Sequence, residues 1–166
     1  LASLVAGVSY FFVADDPIGG AWLMLWKGAG VGFLALYAAF RTRGFDGLLI
    51  AGALTLGALG DVTLEISFLI GGALFALGHA VAVILYLRNR RARMSSSQVL
   101  AGGSLILLTP LIAGLIAYPL PNWIVATAYS AVVGGMAAAA WTSRFPRYRV
   151  GLGAVMFVVS DLLIFA

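Results

Sequence analysis

The stretch that decides the fold is FLIGGALFALGHAVAVILYL at residues 68–87, which is followed directly by RNRRAR at residues 88–93. The first segment has 20 residues and no Asp, Glu, Lys or Arg, whereas the second has four arginines in six residues. An α-helix of about 20 apolar residues crosses the ~30 Å hydrocarbon core of a bilayer, and loops rich in arginine are typical of its cytoplasmic side. The stretch therefore predicts a transmembrane helix that carries one histidine, His79.

The composition of the whole chain agrees with this interpretation. Of the 166 residues, 63% are hydrophobic and 10% are charged, and the mean hydropathy is +1.07. Soluble domains have about 25% charged residues, so a water-soluble enzyme or a disordered tail is excluded. The absence of cysteine excludes a disulfide scaffold and a zinc finger. The net charge of +4 lies in loops and indicates topology, so no nucleic-acid partner is expected.

Seven apolar segments predict an all-α membrane protein, a polytopic transmembrane helix bundle that forms a single domain over residues 1–166. The first segment is short and the last ends while still apolar, so we expect further residues beyond both ends of the chain. Glycines such as Gly71, Gly72 and Gly78 are expected to let helices approach closely. The segments are 1–14, 21–40, 47–66, 68–87, 99–118, 123–141 and 150–166.

The loops predict the orientation. All nine arginines follow the second, fourth or sixth segment, whereas the other loops carry Asp15 and Asp16 or the uncharged residues 119–122. The positive-inside rule therefore predicts a cytoplasmic N-terminus. The Ala- and Gly-rich composition, with arginine preferred over lysine, is typical of a bacterium with GC-rich DNA and predicts the bacterial inner membrane.

Five ionisable residues remain inside or at the edge of the apolar segments, namely Lys27, Asp61, Glu65, His79 and Asp161. An unpaired charge there costs a few kcal/mol, so such residues face the protein interior and usually have a function. Counting ~1.5 Å per residue places them between the outer edge and the middle of the bilayer. Their depth and helical spacing predict one pocket, and Phe75 and Tyr129 lie on the helix faces that would line it.

Structural explanations exist for the same residues. Lys27 is also suited to a structural ion pair with Asp61 or Asp161, and Glu65 to a solvated position at the membrane interface. His79 is also suited to a hydrogen bond in the helix core. Small residues beside the carboxylates are explained by packing alone.

The residue types restrict the chemistry of the pocket. One histidine and no cysteine exclude a zinc site built from several His and Cys ligands, and a site of carboxylates with one histidine stays open for a harder metal. A triad using Ser160 beside Asp161 is disfavoured because adjacent helical residues point in different directions. Two carboxyl groups in different environments are the requirement for acid–base attack on bonds that break through an oxocarbenium ion. Lys27 is placed to keep one of them ionised.

Three motifs on different helices resemble the YhhN family of integral membrane proteins, whose characterised members are lysoplasmalogenases. The motifs are Gly60-Asp61 followed by Glu65, then Phe68-x-x-Gly71-x-x-x-Phe75-x-x-x-His79, and Gly153-Ala154-x-x-Phe157-x-x-Ser160-Asp161. The chain departs from the family pattern at Gly28, where Pro is common, and at Ala82, where Tyr is frequent. The resemblance implies eight helices, so an eighth is expected beyond the C-terminus.

The resemblance also implies an activity, that of an ether hydrolase of the alkenylglycerophospholipid type. Such an enzyme cleaves the vinyl ether bond of a lysophospholipid to a fatty aldehyde and a glycerophospho-alcohol. The hypothesis for the site has Asp61 and Asp161 as acid and base and His79 as proton relay or water-orienting group. Lys27, Glu65, Tyr129 and Phe75 bind substrate or balance charge. Lysophospholipid and membrane lipids are the expected partners, and neither a metal nor a cofactor is expected.

Two other classes of function remain open. A proton-coupled transporter of a small molecule or lipid would use the same intramembrane Asp, Glu, His and Lys residues as its relay. A lipid-binding or assembly subunit would use the buried charges only to fix the register of its helices.

Overall fold

A computed structural model describes residues 1–13, 20–41 and 43–166. These residues form seven α-helices and no β-strand, which confirms the all-α prediction for this part of the chain. A π-helical turn at Arg147–Gly151 directly precedes the last helix. The helices are α1 (Ala2–Val13), α2 (Ala21–Arg41), α3 (Phe45–Leu64), α4 (Phe68–Arg88), α5 (Ser96–Ala117), α6 (Trp123–Thr142) and α7 (Leu152–Ile164).

The helices α2 to α6 are each long and apolar enough to cross a membrane, and α1 is apolar but shorter. Large apolar side chains point outward along them, as at Phe40 and Leu100. Outward apolar residues on helices of this length characterise an integral membrane protein. The sequence-based boundaries are displaced at α3, which begins at Phe45 and ends at Leu64, so that Glu65 lies in the turn that follows.

The described residues form two compact units, Leu1–Ala82 and Val83–Ala166. In the first unit, α1 is attached to α2 by two side-chain hydrogen bonds: the Ser3 hydroxyl donates to the Gly30 carbonyl at 2.6 Å, and Trp26 Nε1 donates to Ser9 Oγ at 2.9 Å. Gly44 precedes α3 with a φ of 83°, a left-handed conformation that glycine adopts without steric cost.

Glycines set the closest approaches between α3 and its neighbours. A Cβ added at Gly28 would lie 2.5 Å from Val62 Cγ2, so the glycine that departs from the family pattern allows α2 to contact α3 there. A Cβ at Gly71 would lie 2.6 Å from Leu64 Cγ, and one at Gly78 would lie 3.1 Å from the Ala53 carbonyl oxygen. The packing prediction is confirmed for Gly71 and Gly78. It is wrong for Gly72, since no described residue lies within 4 Å of its Cβ position.

In the second unit, α5 and α6 pack through small residues. A Cβ at Gly134 would lie 2.6 Å from the Leu105 carbonyl oxygen, and Ala137–Ala140 are buried on α6. Ser95 and Gln98 form a capping box at the start of α5, where each side chain bonds the backbone N–H of the other residue.

The loop after α4 is attached to the end of α6 within this second unit. The Arg91 Nε donates to the Ser143 carbonyl at 2.8 Å, and the Arg144 Nε donates to Asn89 Oδ1 at 2.9 Å. These arginines therefore form specific hydrogen bonds in addition to the topological role that the sequence suggested.

Several predictions on topology concern features beyond the described structure. The end of the first apolar segment and the loop with Asp15 and Asp16 lie outside the described residues. The cytoplasmic N-terminus, the eighth helix and the single domain over 1–166 stay predictions.

Candidate functional site

The first cluster of predicted site residues lies in the first unit, where α2 meets the end of α3. The Lys27 ammonium on α2 and Glu65 Oε1 form an ion pair at 2.5 Å. The two side chains are 27% and 39% exposed. Within the first unit, the direct partner of Lys27 is thus Glu65, whereas Asp61, which the structural alternative named, interacts with the ammonium group electrostatically. Because α3 ends at Leu64, Glu65 lies in the turn and its side chain extends to α2.

Asp61 lies one helical turn before Glu65 on α3 and is half-buried. Its carboxylate interacts electrostatically with the Lys27 ammonium, and no hydrogen bond to it comes from the described part of the chain. Lys27 therefore serves two carboxylates, Glu65 by direct contact and Asp61 at longer range. This cluster of three side chains, which we call the charged cluster, contains one ammonium group and two carboxylates.

Phe75 and His79 lie one turn apart on α4. The Phe75 ring covers Gly60, where an added Cβ would lie 2.8 Å from the ring atoms Cδ2 and Cε2. Gly60 immediately precedes Asp61, so Phe75 fixes the backbone that presents this carboxylate. His79 is buried, with 8% of its surface exposed, and has an interaction partner. In the first unit, the structure thus places Phe75 against the segment of α3 that carries Asp61.

The second pair of predicted site residues lies in the second unit, between α6 and α7. The Tyr129 hydroxyl donates a hydrogen bond to Asp161 Oδ2 at 2.8 Å. Asp161 is 7% exposed, and a buried carboxylate requires such a donor. Ser160 is exposed while its neighbour Asp161 is buried, as expected for adjacent residues on a helix that point in different directions.

Two aromatic residues near these groups were missed by the sequence analysis. The Phe165 ring meets the Tyr129 ring edge to face, with centroids 6.4 Å apart. Phe165 lies four residues after Asp161, and this helical spacing was the signal that could have placed the two side chains on the same face. Tyr10 on α1 lies within electrostatic range of Lys27, and its only signal was a polar group within an apolar segment.

Each of the two units contributes one carboxyl group, and the surroundings of the two groups differ. Asp61 is half-buried near an ammonium group, and Asp161 is buried with a phenol donor. Carboxyl groups held beside a cationic or proton-donating side chain within apolar helices are candidates for acid–base roles. Within the described ranges, no three His, Asp, Glu or Cys side chains are grouped as metal ligands.

Comparison with protein families adds one match. The model of the YhhN family matches residues 22–166, which include Lys27, both aspartates, Glu65, Phe75, His79 and Tyr129. Comparisons with curated proteins and with solved structures find no match to this chain.

Proposed function

The chain belongs to the YhhN family, and on that premise we propose that it is a membrane-embedded hydrolase of the lysoplasmalogenase type. The substrate is a lysophospholipid with a vinyl ether bond, and the products are a fatty aldehyde and a glycerophospho-alcohol. The observation that carries the proposal is the pair of carboxyl groups, Asp61 and Asp161, held in two different environments within apolar helices.

The reaction needs one proton donor and one proton acceptor. A carboxylic acid protonates the β-carbon of the vinyl ether, and the electrons of the double bond form the new C–H bond to leave an oxocarbenium ion. Water attacks the cationic carbon while a carboxylate takes one of its protons, which gives a hemiacetal. The bond between the hemiacetal carbon and the glycerol oxygen then breaks. The glycerol oxygen takes up a proton and leaves as the alcohol, and the hemiacetal hydroxyl loses its proton to give the aldehyde. The net reaction consumes one water molecule and no proton.

The proposal assigns the acid and base roles to Asp61 and Asp161. General acid–base groups of this kind contribute about 10²- to 10⁴-fold to rate. Tyr129 holds the carboxylate of Asp161 in one orientation through its hydrogen bond. Lys27 compensates the charge of Asp61 or binds the phosphate of the substrate, and His79 orients water or relays a proton.

The position of Asp61 along α3 supports a lipid substrate. Asp61 lies three residues before the end of α3 at Leu64, which corresponds to about 5 Å along the helix axis. The vinyl ether bond of a lysophospholipid lies just below its head group. A carboxyl group near the end of a membrane helix is therefore at a depth that suits this bond.

The test is release of aldehyde from a vinyl ether lysophospholipid by the detergent-purified protein. An ester-linked lysophospholipid and a chelator-treated sample run beside it, together with Asp61→Asn and Asp161→Asn. Asp46→Asn, in the first turn of α3, is the matched control. We expect aldehyde from the vinyl ether only, with a loss of at least about 100-fold in both site variants and unchanged release in the control.

Two results would contradict the proposal. Full turnover in both aspartate variants would exclude their assigned roles, and no aldehyde from folded wild-type protein would exclude the activity. Loss of activity in the chelator sample would mean that a metal takes part and would replace the purely carboxylate chemistry.

A further inference from the structure

We propose that the loop after α4 and the end of α6 together form a binding site for the phosphate of an anionic membrane phospholipid, and that Arg91 and Arg144 bind this phosphate. The site lies within the second unit. It contains none of the residues assigned to the hydrolase reaction, so it goes beyond the proposed function, and lipid binding is measured without turnover.

Two backbone hydrogen bonds join the loop after α4 to the end of α6. The Arg91 N–H donates to the Thr142 carbonyl at 3.3 Å, and the Arg144 N–H donates to the Asn89 carbonyl at 2.8 Å. Two segments that are distant in sequence are thereby held side by side, and each carries an arginine. We call the paired segments, residues 89–91 and 142–144, the arginine junction.

The guanidinium groups of Arg91 and Arg144 are held in place by their Nε atoms. Arg91 Nε donates to the Ser143 carbonyl at 2.8 Å, and Arg144 Nε donates to Asn89 Oδ1 at 2.9 Å. Both acceptor residues are buried, and Asn89 is itself fixed because its Nδ2 donates to the Leu85 carbonyl at 3.0 Å. Within the described part of the chain, the Nη nitrogens of both arginines have no hydrogen-bond partner. Each guanidinium therefore keeps the donors that form paired hydrogen bonds with a phosphate.

The second unit contains almost no negative charge to balance these arginines. Residues 83–166 include seven arginines and a single acidic side chain, Asp161. Asp161 is buried, accepts the hydrogen bond of Tyr129 and lies nine residues, or about 14 Å, from the start of α7. Neither Arg91 nor Arg144 forms an ion pair with a described carboxylate. An anion from outside this unit is therefore the partner that the charge favours.

The junction lies at the depth of lipid phosphates. It directly follows α4 and begins at the last residue of α6, and both helices are long and apolar enough to cross a membrane. Helices of 21 and 20 residues are about 30 Å long, so their ends reach the head-group layer. The junction carries no carboxylate that would attract the amine of a zwitterionic head group. A lipid with a net negative charge is therefore favoured.

Arg147 adds a third oriented positive charge next to the junction. Its guanidinium carbon lies 6.0 Å from the ring centroid of Trp141 and 5.9 Å from that of Tyr148, distances at which a cation is attracted to an aromatic ring. Tryptophan and tyrosine are typical of the membrane–water interface. Arg147 follows Arg144 by three residues, so their Cα atoms are at most about 11 Å apart.

A lysine substitution separates phosphate binding from the topological role of the arginines. Orientation in the membrane requires positive charge, which lysine supplies as well as arginine. The junction uses the arginine Nε for the anchoring bond and leaves the Nη groups for the ligand. An ammonium group has no such planar fork, so lysine cannot provide both in the same geometry.

The first experiment titrates the detergent-purified protein with phosphatidylglycerol or phosphatidylcholine and counts bound lipids by native mass spectrometry. We expect the wild type to bind one phosphatidylglycerol about tenfold more tightly than phosphatidylcholine. Arg91→Lys combined with Arg144→Lys should weaken phosphatidylglycerol binding about tenfold. Equal affinities of the wild type for the two lipids, or an unchanged preference in this variant, would overturn the proposal.

The matched control combines Arg41→Lys with Arg43→Lys. These two arginines lie at the end of α2, and their side chains form no hydrogen bond with a described residue. The control makes the same change of residue type at two positions, so its lipid binding should equal that of the wild type. An equal loss in the control would mean that the arginine junction has no special role and would overturn the proposal.

A footprint on the wild type keeps the test independent of the folding of the variants. Phenylglyoxal modifies accessible guanidinium groups, and the modified residues are identified by mass spectrometry. We expect phosphatidylglycerol to protect Arg91 and Arg144 and to leave Arg41 and Arg43 unchanged. Equal protection of all four arginines would indicate general attraction to charge and overturn the proposal. Equal protection by inorganic phosphate at the same concentration would assign the site to a soluble anion and overturn the lipid as its ligand.

Discussion

The two aspartates of the candidate site are stabilised in different ways. Asp161 is 7% exposed and accepts a hydrogen bond from the Tyr129 hydroxyl, whereas Asp61 interacts with Lys27 only through space. A hydrogen bond acts at one oxygen and fixes the orientation of the carboxyl, while a Coulombic interaction at longer range does not. Substitutions of the supporting residues should therefore affect the two carboxyls differently.

Tyr129→Phe tests the hydrogen bond at Asp161. Hydrogen bonds to charged groups contribute about 1.5–3 kcal/mol, so we expect kcat to fall about 10- to 100-fold. Because the phenylalanine retains the ring that packs against Phe165, the protein should stay folded. The measurement is steady-state aldehyde release, with the melting temperature as a check on folding.

The control for this variant is Tyr148→Phe, at a side chain that is 80% exposed. Its turnover should equal that of the wild type. Equal turnover of Tyr129→Phe and Tyr148→Phe would show that Asp161 does not depend on the phenol.

Among the elements, α3 organises the first unit. Its residues Gly57 and Gly60 face the ring of Phe75 on α4, and Gly57 also faces Val31 on α2. Asp61 directly follows Gly60 in the sequence and lies one helical turn after Gly57. The helix therefore combines close packing with the presentation of a carboxylate, and a change in its packing should also displace Asp61.

Gly60→Ala tests this coupling between packing and the site. The new methyl group would lie 2.8 Å from the Phe75 ring, and overpacking of this kind costs about 1–3 kcal/mol. We expect a lower melting temperature in detergent and lower aldehyde release. Gly60→Ala combined with Phe75→Leu should recover part of the stability, because the smaller side chain leaves room for the methyl group.

Gly72→Ala is the matched control, since the described residues leave its Cβ position open. Alanine is a better helix former than glycine by about 1 kcal/mol, so this variant should be as stable as the wild type or more stable. If Gly60→Ala behaves in the same way, the Phe75 contact does not restrict α3.

At the scale of the whole chain, the sequence predicted the positions of the helices more accurately than it predicted which side chains contact each other. Segment length and apolarity were sufficient to locate the seven helices of the described residues, because a membrane helix must satisfy its backbone hydrogen bonds internally. The boundaries of α3 were displaced by two residues at each end, since apolarity does not define where a turn begins. That turn gives Lys27 its partner, Glu65, which spacing along an ideal helix could not reveal. The pairing of Tyr129 with Asp161 was anticipated only as membership of a common pocket.

The balance of the proposed reaction leads to a prediction for the protein in a membrane. The proton that the acid gives to the vinyl ether is matched by the proton that the base takes from water, so turnover consumes no proton and needs no proton gradient to drive it. Aldehyde release in proteoliposomes should therefore stay the same when a protonophore removes the proton gradient. A proton-coupled transporter would respond strongly, because 100 mV is worth ~2.3 kcal/mol per charge, or about 50-fold in accumulation. Uptake of a lysophospholipid that falls with the gradient, without aldehyde release, would assign the intramembrane Asp61, His79 and Asp161 to proton transport.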